Sequence, residues 1–202
     1  VPYIAFADAP LSNHLTVKRF VNDEWETVGS EGFSDITASV IELRFNAAGT
    51  PHVAIDGNSA GSRVYRMADN AWEQIGTIAS LYNNRIAALD FDQQDVPHIA
   101  YYDVSDSFTA KVKKLVGDTW TLVGASVSTA DESPDLMKMA IHGDGTIYVV
   151  FSDTDLAMRL TARKYANGTW TTVGNSGFTA TLSSNVNLAL DDDGVPHVGL
   201  KD

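Results

Sequence analysis

The sequence predicts an all-β protein: a β-propeller of four-stranded antiparallel blades, with four Trp-containing repeats and a partial fifth. Three observations carry this expectation. Trp25, Trp72, Trp120 and Trp170, the only tryptophans, each open a Trp-x-x-(Val/Ile)-Gly run: WETVG, WEQIG, WTLVG and WTTVG. They stand 47, 48 and 50 residues apart, a period that marks an array of like supersecondary units. Aligned on Trp, the copies also share four short runs of strand character, with little helical periodicity among them. A β-sandwich would explain the strands but not the fixed spacing.

The elements follow in order. First runs are Ile41 to Phe45, Ile86 to Phe91, Leu136 to Ile141 and Val186 to Leu190. Turn residues (NAAG, DQQD, GDG, DDG) lead from them to second runs: PHVAID, PHIAYYD, IYVVFSD and PHVGLKD, with PYIAFAD at the start of the chain. The third runs are TVKRF, RVYRM, KVKKL and TARKY, and the Trp phrase is the fourth. Between third and fourth lie Asn22-Asp23, Asp69-Asn70, Gly117-Asp118 and Asn167-Gly168. These residue types tolerate the positive φ that a two-residue hairpin between twisted strands requires. Third and fourth runs are therefore expected as one antiparallel pair, first and second as another. In a propeller the first strand lines the channel and the Trp strand lies outermost. Blades stack on both faces, which accounts for second runs that are apolar almost throughout.

We read the chain as a single domain, 1–202, with repeats at approximately 1–49, 50–95, 96–145 and 146–194 and a partial one at 195–202. The ends do not make a simple ring. The chain holds four Trp modules but five second runs. Val186 to Leu190 can complete the first blade and remove its edge, within one chain or in a second copy. A homodimer through unpaired terminal strands is one expectation.

The pattern resembles bacterial extracellular propeller repeats of the kelch-like or sialidase-like kind. The kelch likeness rests on a late Trp after a Tyr-containing strand, as in Tyr165 and Trp170, without the paired glycines. The sialidase likeness rests on Asn167-Gly168-Thr169-Trp170, similar to the second half of an Asp-box at the same hairpin, without its Ser-x-Asp half. The resemblance implies an extracellular or cell-surface protein, with a non-enzymatic binding or scaffold role toward a glycan or a protein. Its alternatives are a glycosidase-like or sialidase-like hydrolase and a structural fragment of a larger propeller.

Composition narrows the partners. With 14 Lys and Arg against 26 Asp and Glu, the formal charge is −12. Such a chain repels phosphate backbones and anionic bilayers, so neither nucleic acid nor membrane insertion is expected. No apolar run approaches a membrane span. There is no Cys, hence no disulfide framework and no thiol chemistry. The chain does not open with Met and shows no leader, so it reads as a mature, trimmed or truncated product. Asn167-Gly168-Thr169 also matches a glycosylation sequon.

Residues present in every copy build the fold, and those that break the pattern are candidates for function. A basic residue stands six before each Trp (Arg19, Arg66, Lys114, Lys164), beside second strands that end in Asp8, Asp103, Asp153 and the final Asp202, with Gly57 the exception. This reads as a charge pair repeated once per blade. His52, His98 and His197 share a position with Tyr3 and Tyr148, which suits packing between blades better than a metal. Asp191-Asp192-Asp193-Gly194 and Asp153-Thr154-Asp155 suit turns better than a calcium loop. No cofactor, metal site or catalytic constellation is expected. The pattern-breakers near the inner strands are Glu42, Arg44, Tyr82, Arg85 and Asp90, joined by Lys138 and His142. Arg44 and Arg85 with Tyr82, Glu42 and Asp90 supply the residue types for binding a carboxylated sugar at the channel. These five are the expected ligand-binding residues.

Overall fold

The computed structural model describes residues 1–57, 60–77, 81, 84–128, 136–180 and 185–201. The first sheet has three strands, β1 (Tyr3–Asp8), β2 (His14–Val21) and β3 (Glu24–Thr27). Three four-stranded sheets follow. The second is β4 (Val40–Phe45), β5 (Pro51–Asp56), β6 (Ser62–Ala68) and β7 (Ala71–Gln74). The third is β8 (Asn84–Phe91), β9 (Pro97–Asp103), β10 (Thr109–Val116) and β11 (Thr119–Leu122). The fourth is β12 (Met137–Ile141), β13 (Ile147–Asp153), β14 (Arg159–Ala166) and β15 (Thr169–Thr172). Last come β16 (Asn185–Leu190) and β17 (Pro196–Lys201), paired only with each other.

Each sheet is a meander of antiparallel neighbours, and its turns are those the residue types favour. Asn22 and Asp23 take φ of +52° and +64°, Asp69 and Asn70 of +47° and +63°. Both residues of these hairpins lie in the left-handed region, which Asn, Asp and Gly reach at least cost. The outer hairpin is thereby fixed in register, with Phe20 opposite Trp25 and Tyr165 opposite Trp170.

The cores lie between sheets. Val53, Ile55 and Tyr65 point back to Leu15 and Val17 of the first sheet. Ala54 and Val64, one residue out of phase, point forward to Leu89, Ile99 and Tyr101 of the third. That alternation leaves all six residues of β5 buried, so both faces of the strand must be apolar. Ala88, Ala100 and Val112 in turn meet Met139, Val149 and Phe151, and Val150 and Leu160 meet Val186. Burying each large aliphatic side chain contributes about 1.5–3 kcal/mol.

The recurring Trp phrase joins one sheet to the next. Trp72 Nε1 donates to Val28 O at 2.7 Å, and Trp170 Nε1 to Val123 O at 3.3 Å. A Cβ on Gly29 would come within 2.8 Å of Trp72, and one on Gly76 within 2.2 Å of Trp120. The Gly that closes the first and second phrases is thus the floor on which the following indole lies.

At the channel β4 neighbours β8, β8 neighbours β12, and β12 neighbours β16. The arc does not close: β16 does not complete the first sheet within the chain, and β1 pairs only with β2. The repeated charge pair also differs from expectation. Arg19 and Arg66 face Glu26 and Glu73 on the outer strand, not the Asp residues of the second strand. Lys114 and Lys164 stand opposite Thr121 and Thr171.

Candidate functional site

The inner strands present alternating side chains near the axis. Glu42, Ala88, Lys138 and Asn187 share one register position, each opposite the same residue of its second strand. Because β8 carries only Ala88 there, the Lys138 ammonium reaches past it to Glu42, two sheets away. Glu42 Oε2 also meets Arg44 Nη2 at 3.2 Å. The carboxylate is buried and bracketed by two cations, which offsets its desolvation. Arg44 donates in addition to Leu43 O at 3.0 Å.

The other expected residues lie at different depths. Arg85, at the start of β8, meets the fully buried Asp56 at 3.2 Å. Asp90, near the far end of the same strand, accepts from Ile141 N at 2.8 Å and from Phe91 N at 2.9 Å. Burial pushes its carboxyl above the usual range, against the pull of those two amides. So Glu42 and Arg44 come together, Arg85 and Asp90 each serve a separate join between sheets, and Tyr82 lies outside the described residues.

A different place carries an open groove. Between the third and fourth sheets a cleft of about 320 Å³ is lined by Ser128, Phe151, Asp153, Thr161, Arg163 and Thr172, among others. This is at the small end of ligand-pocket size. Arg163, on β14, is tied down by two carbonyls: Nη1 donates to Val127 O and Nη2 to Trp170 O, the latter at 3.1 Å. Its Nε is buried with no acceptor. A buried N–H left unpaired costs about 1–3 kcal/mol, so the guanidinium is anchored through both terminal nitrogens while its Nε–H goes unpaired. Asp153 Oδ2 accepts from Thr161 Oγ1 at 3.0 Å, and Thr161 in turn accepts from Gly177 N at 2.9 Å. One cation, one oriented carboxylate and the Phe151 wall thus border a single cleft.

The sister positions are filled. Tyr65 and Lys113 take the register place of Arg163, opposite Val53 and Ile99 as it is opposite Val149. Tyr65 O–H donates to Asp35, which also holds Arg63 at 3.2 Å, and Phe33 stacks on Trp72. Burial and the Asp35 carboxylate push the Tyr65 phenol well above its ordinary pKa. Lys113 lies 4.8 Å from the centre of the Tyr101 ring and donates to Asn84 Oδ1 at 2.6 Å. A second cleft of about 370 Å³ opens between the second and third sheets around His52, Arg66 and Asp95. There the cation is already paired with Glu73, so it lacks the spare buried donor.

Two of the three repeated histidines pack as expected, whereas His197 is exposed, with Nε2 3.1 Å from Asp191 Oδ2. His52 and His98 are buried, each with Nδ1 at 3.0 Å from the carbonyl two residues earlier, Thr50 O and Val96 O. His52 sets its edge on Phe91 as Tyr3 does on Phe45.

No protein-family model and no curated protein matches the sequence. Solved structures do resemble it. AofleA from Arthrobotrys oligospora is 12% identical over 93% of this chain and 57% of that one, with a TM-score of 0.64. The lectin of Aleuria aurantia, a fungal protein with a six-bladed β-propeller fold and a fucose recognition mode, is 15% identical over 92% of this chain and 61% of that one, with a TM-score of 0.62. A protein of unknown function from Dyadobacter fermentans is 14% identical over 93% of this chain and 64% of that one, with a TM-score of 0.59. The chain therefore spans about three fifths of these structures. At such identities the likeness establishes the architecture: the chain has the β-propeller fold, all-β, with several four-stranded antiparallel sheets.

Proposed function

We propose that the protein is a non-enzymatic carbohydrate-binding module and that a monosaccharide sits in the groove between the third and fourth sheets. The observation that carries this is the unpaired Nε–H of Arg163 in a cleft that the Asp153 carboxylate and the Phe151 ring also line. A sugar hydroxyl can accept from the first and donate to the second, while a C–H face of the ring meets the third. The Aleuria aurantia lectin, a neighbour of the same fold, recognises fucose, which supports the ligand class. Glu42 and Asp90, the carboxylates hydrolysis would call on, are engaged by cations and by backbone amides, which favours binding over turnover.

In this proposal Arg44, Arg85, Glu42 and Asp90 hold the inner strands together rather than touch the sugar. The four Trp-bearing repeats and the partial fifth occupy part of a propeller ring, as one domain on the extracellular side, where glycans are displayed. Calorimetric titration with L-fucose tests the site. Arg163→Ala should weaken binding about tenfold or more, the loss expected for a charged hydrogen bond of about 1.5–3 kcal/mol. Arg44→Ala should leave affinity unchanged and lower thermal stability. If Arg44→Ala abolishes binding while Arg163→Ala preserves it, the sugar sits at the channel and this assignment fails.

A further inference from the structure

The groove between the third and fourth sheets is lined by two carboxylates, Asp153 and Asp155, and by the Arg163 guanidinium. Asp153 Oδ2 accepts from Thr161 Oγ1 at 3.0 Å. Asp155 lies exposed in the short turn Thr154–Leu156 that follows β13. Among the described residues neither carboxylate forms an ion pair. Arg159, opposite Asp153 in the ladder, donates its Nε–H to Leu156 O at 3.0 Å instead. Arg163 is engaged at both terminal nitrogens by Val127 O and Trp170 O. Those carbonyls compete for the N–H groups that a two-pronged grip on a bound carboxylate would use.

Two sister sheets place a cation where this one does not. Lys111 stands opposite Tyr101 as Thr161 stands opposite Phe151, so the two share a place in the repeat. The Lys111 ammonium meets Asp103, the counterpart of Asp153, at 2.9 Å and Asp106 at 2.6 Å. In the second sheet the same place is held by Arg63, opposite Ile55, which meets Asp35 at 3.2 Å. Both sheets thus cancel their acidic charge locally. The fourth sheet puts a neutral hydroxyl there, and its two carboxylates face the groove without that cation.

We propose that this carboxylate pair makes the groove selective for neutral sugars, with Asp155 the residue that turns away uronic acids and other anionic saccharides. Such selection deepens the sugar site proposed above and depends on it. A neutral sugar hydroxyl can donate to Asp153 and another accept from the Arg163 Nε–H. A sugar carboxylate brings a third like charge into the same small space, and like charges set against each other suppress the wrong partner. Among the described residues Asp155 makes no hydrogen bond or ion pair, so its charge is not committed to holding the fold.

The test is calorimetric titration with sugars that differ only at C6: L-fucose (methyl), L-galactose (hydroxymethyl) and L-galacturonate (carboxylate). In dilute buffer L-galacturonate should bind the wild-type chain about tenfold or more weakly than L-galactose. The gap should narrow in about 1 M salt, where the Debye length falls to about 3 Å. Asp155→Asn should narrow it as well. That change falls on an exposed side chain, and circular dichroism with melting curves checks the fold. L-Galacturonate bound as tightly as L-galactose overturns the proposal. So does a gap that persists in salt or in Asp155→Asn. L-Galactose bound as poorly as L-galacturonate also overturns it, since bulk at C6 then decides rather than charge. If L-fucose itself does not bind, the sugar site has failed and the selection falls with it.

Discussion

Arg163 shows how a single residue can change role within a repeat. Its register position holds Lys18, Tyr65 or Lys113 in the other sheets, where local partners absorb it. Only in β14 does a guanidinium stand there with a spare donor at depth. The buried histidines make a second prediction at this scale. Burial lowers the pKa of both His52 and His98, outweighing the carbonyl contact that favours their protonation. The unfolded chain therefore takes up protons near the ordinary value of about 6.5, while the folded chain resists until lower pH. By linkage, stability is full above that value and falls as pH drops through it. Asp90 acts in the opposite sense and lower on the scale, because its raised pKa lets the folded chain hold a proton the unfolded chain has shed. The melting temperature should thus fall between about pH 7.5 and 5.5. His52→Tyr, which borrows the residue found at Tyr3 and Tyr148, should flatten that slope. A slope identical in wild type and variant would remove His52 from the account.

At the scale of elements, the outer strand and its Val-Gly phrase are the joint of the molecule. Gly76 takes a φ of +74°, and a Cβ there would meet Trp120 Nε1 at 2.2 Å. Gly76→Ala should cost about 2–5 kcal/mol, the sum of left-handed strain and overpacking. Gly174 has a similar φ of +68° but no neighbour, so Gly174→Ala should cost only the strain, about 1–2 kcal/mol. Denaturant unfolding of the two variants separates packing from backbone, and equal losses would refute the cradle. Much of this level was legible in the sequence. The strand order, the hairpins at Asn22-Asp23 and Asp69-Asn70, and the outer place of each Trp follow from local chemistry that repeats. What Gly does in the phrase was not legible, because its partner lies about one repeat ahead and on another sheet.

For the whole molecule, the period announced a propeller, and the sheets and the solved neighbours agree with that class. Curvature and closure are collective properties of the packing angles between sheets, which no residue type encodes. The expected site shows the same boundary. Glu42 and Arg44 were singled out because they break the pattern, and they do meet, but with Lys138 of β12 closing the cluster from two sheets away. Arg163 sat within a run of basic residues, TARKY, that looked like its sisters. Its difference lies in the depth of the groove and in Val127 and Trp170, which occupy its other nitrogens. Phe33 and Asp35, which plug the first groove, fall between the repeated runs, where alignment on Trp gives no signal.

The proposed site depends on whether the unpaired Nε–H of Arg163 receives a sugar. The direct measurement follows the arginine Nε–H resonances of the folded protein by NMR as L-fucose is added, with Arg163→Lys assigning the signal. The Arg163 Nε–H should shift saturably while those of Arg44 and Arg85 stay in place. A sugar that binds without moving the Arg163 signal, or that does not bind at all, would contradict it.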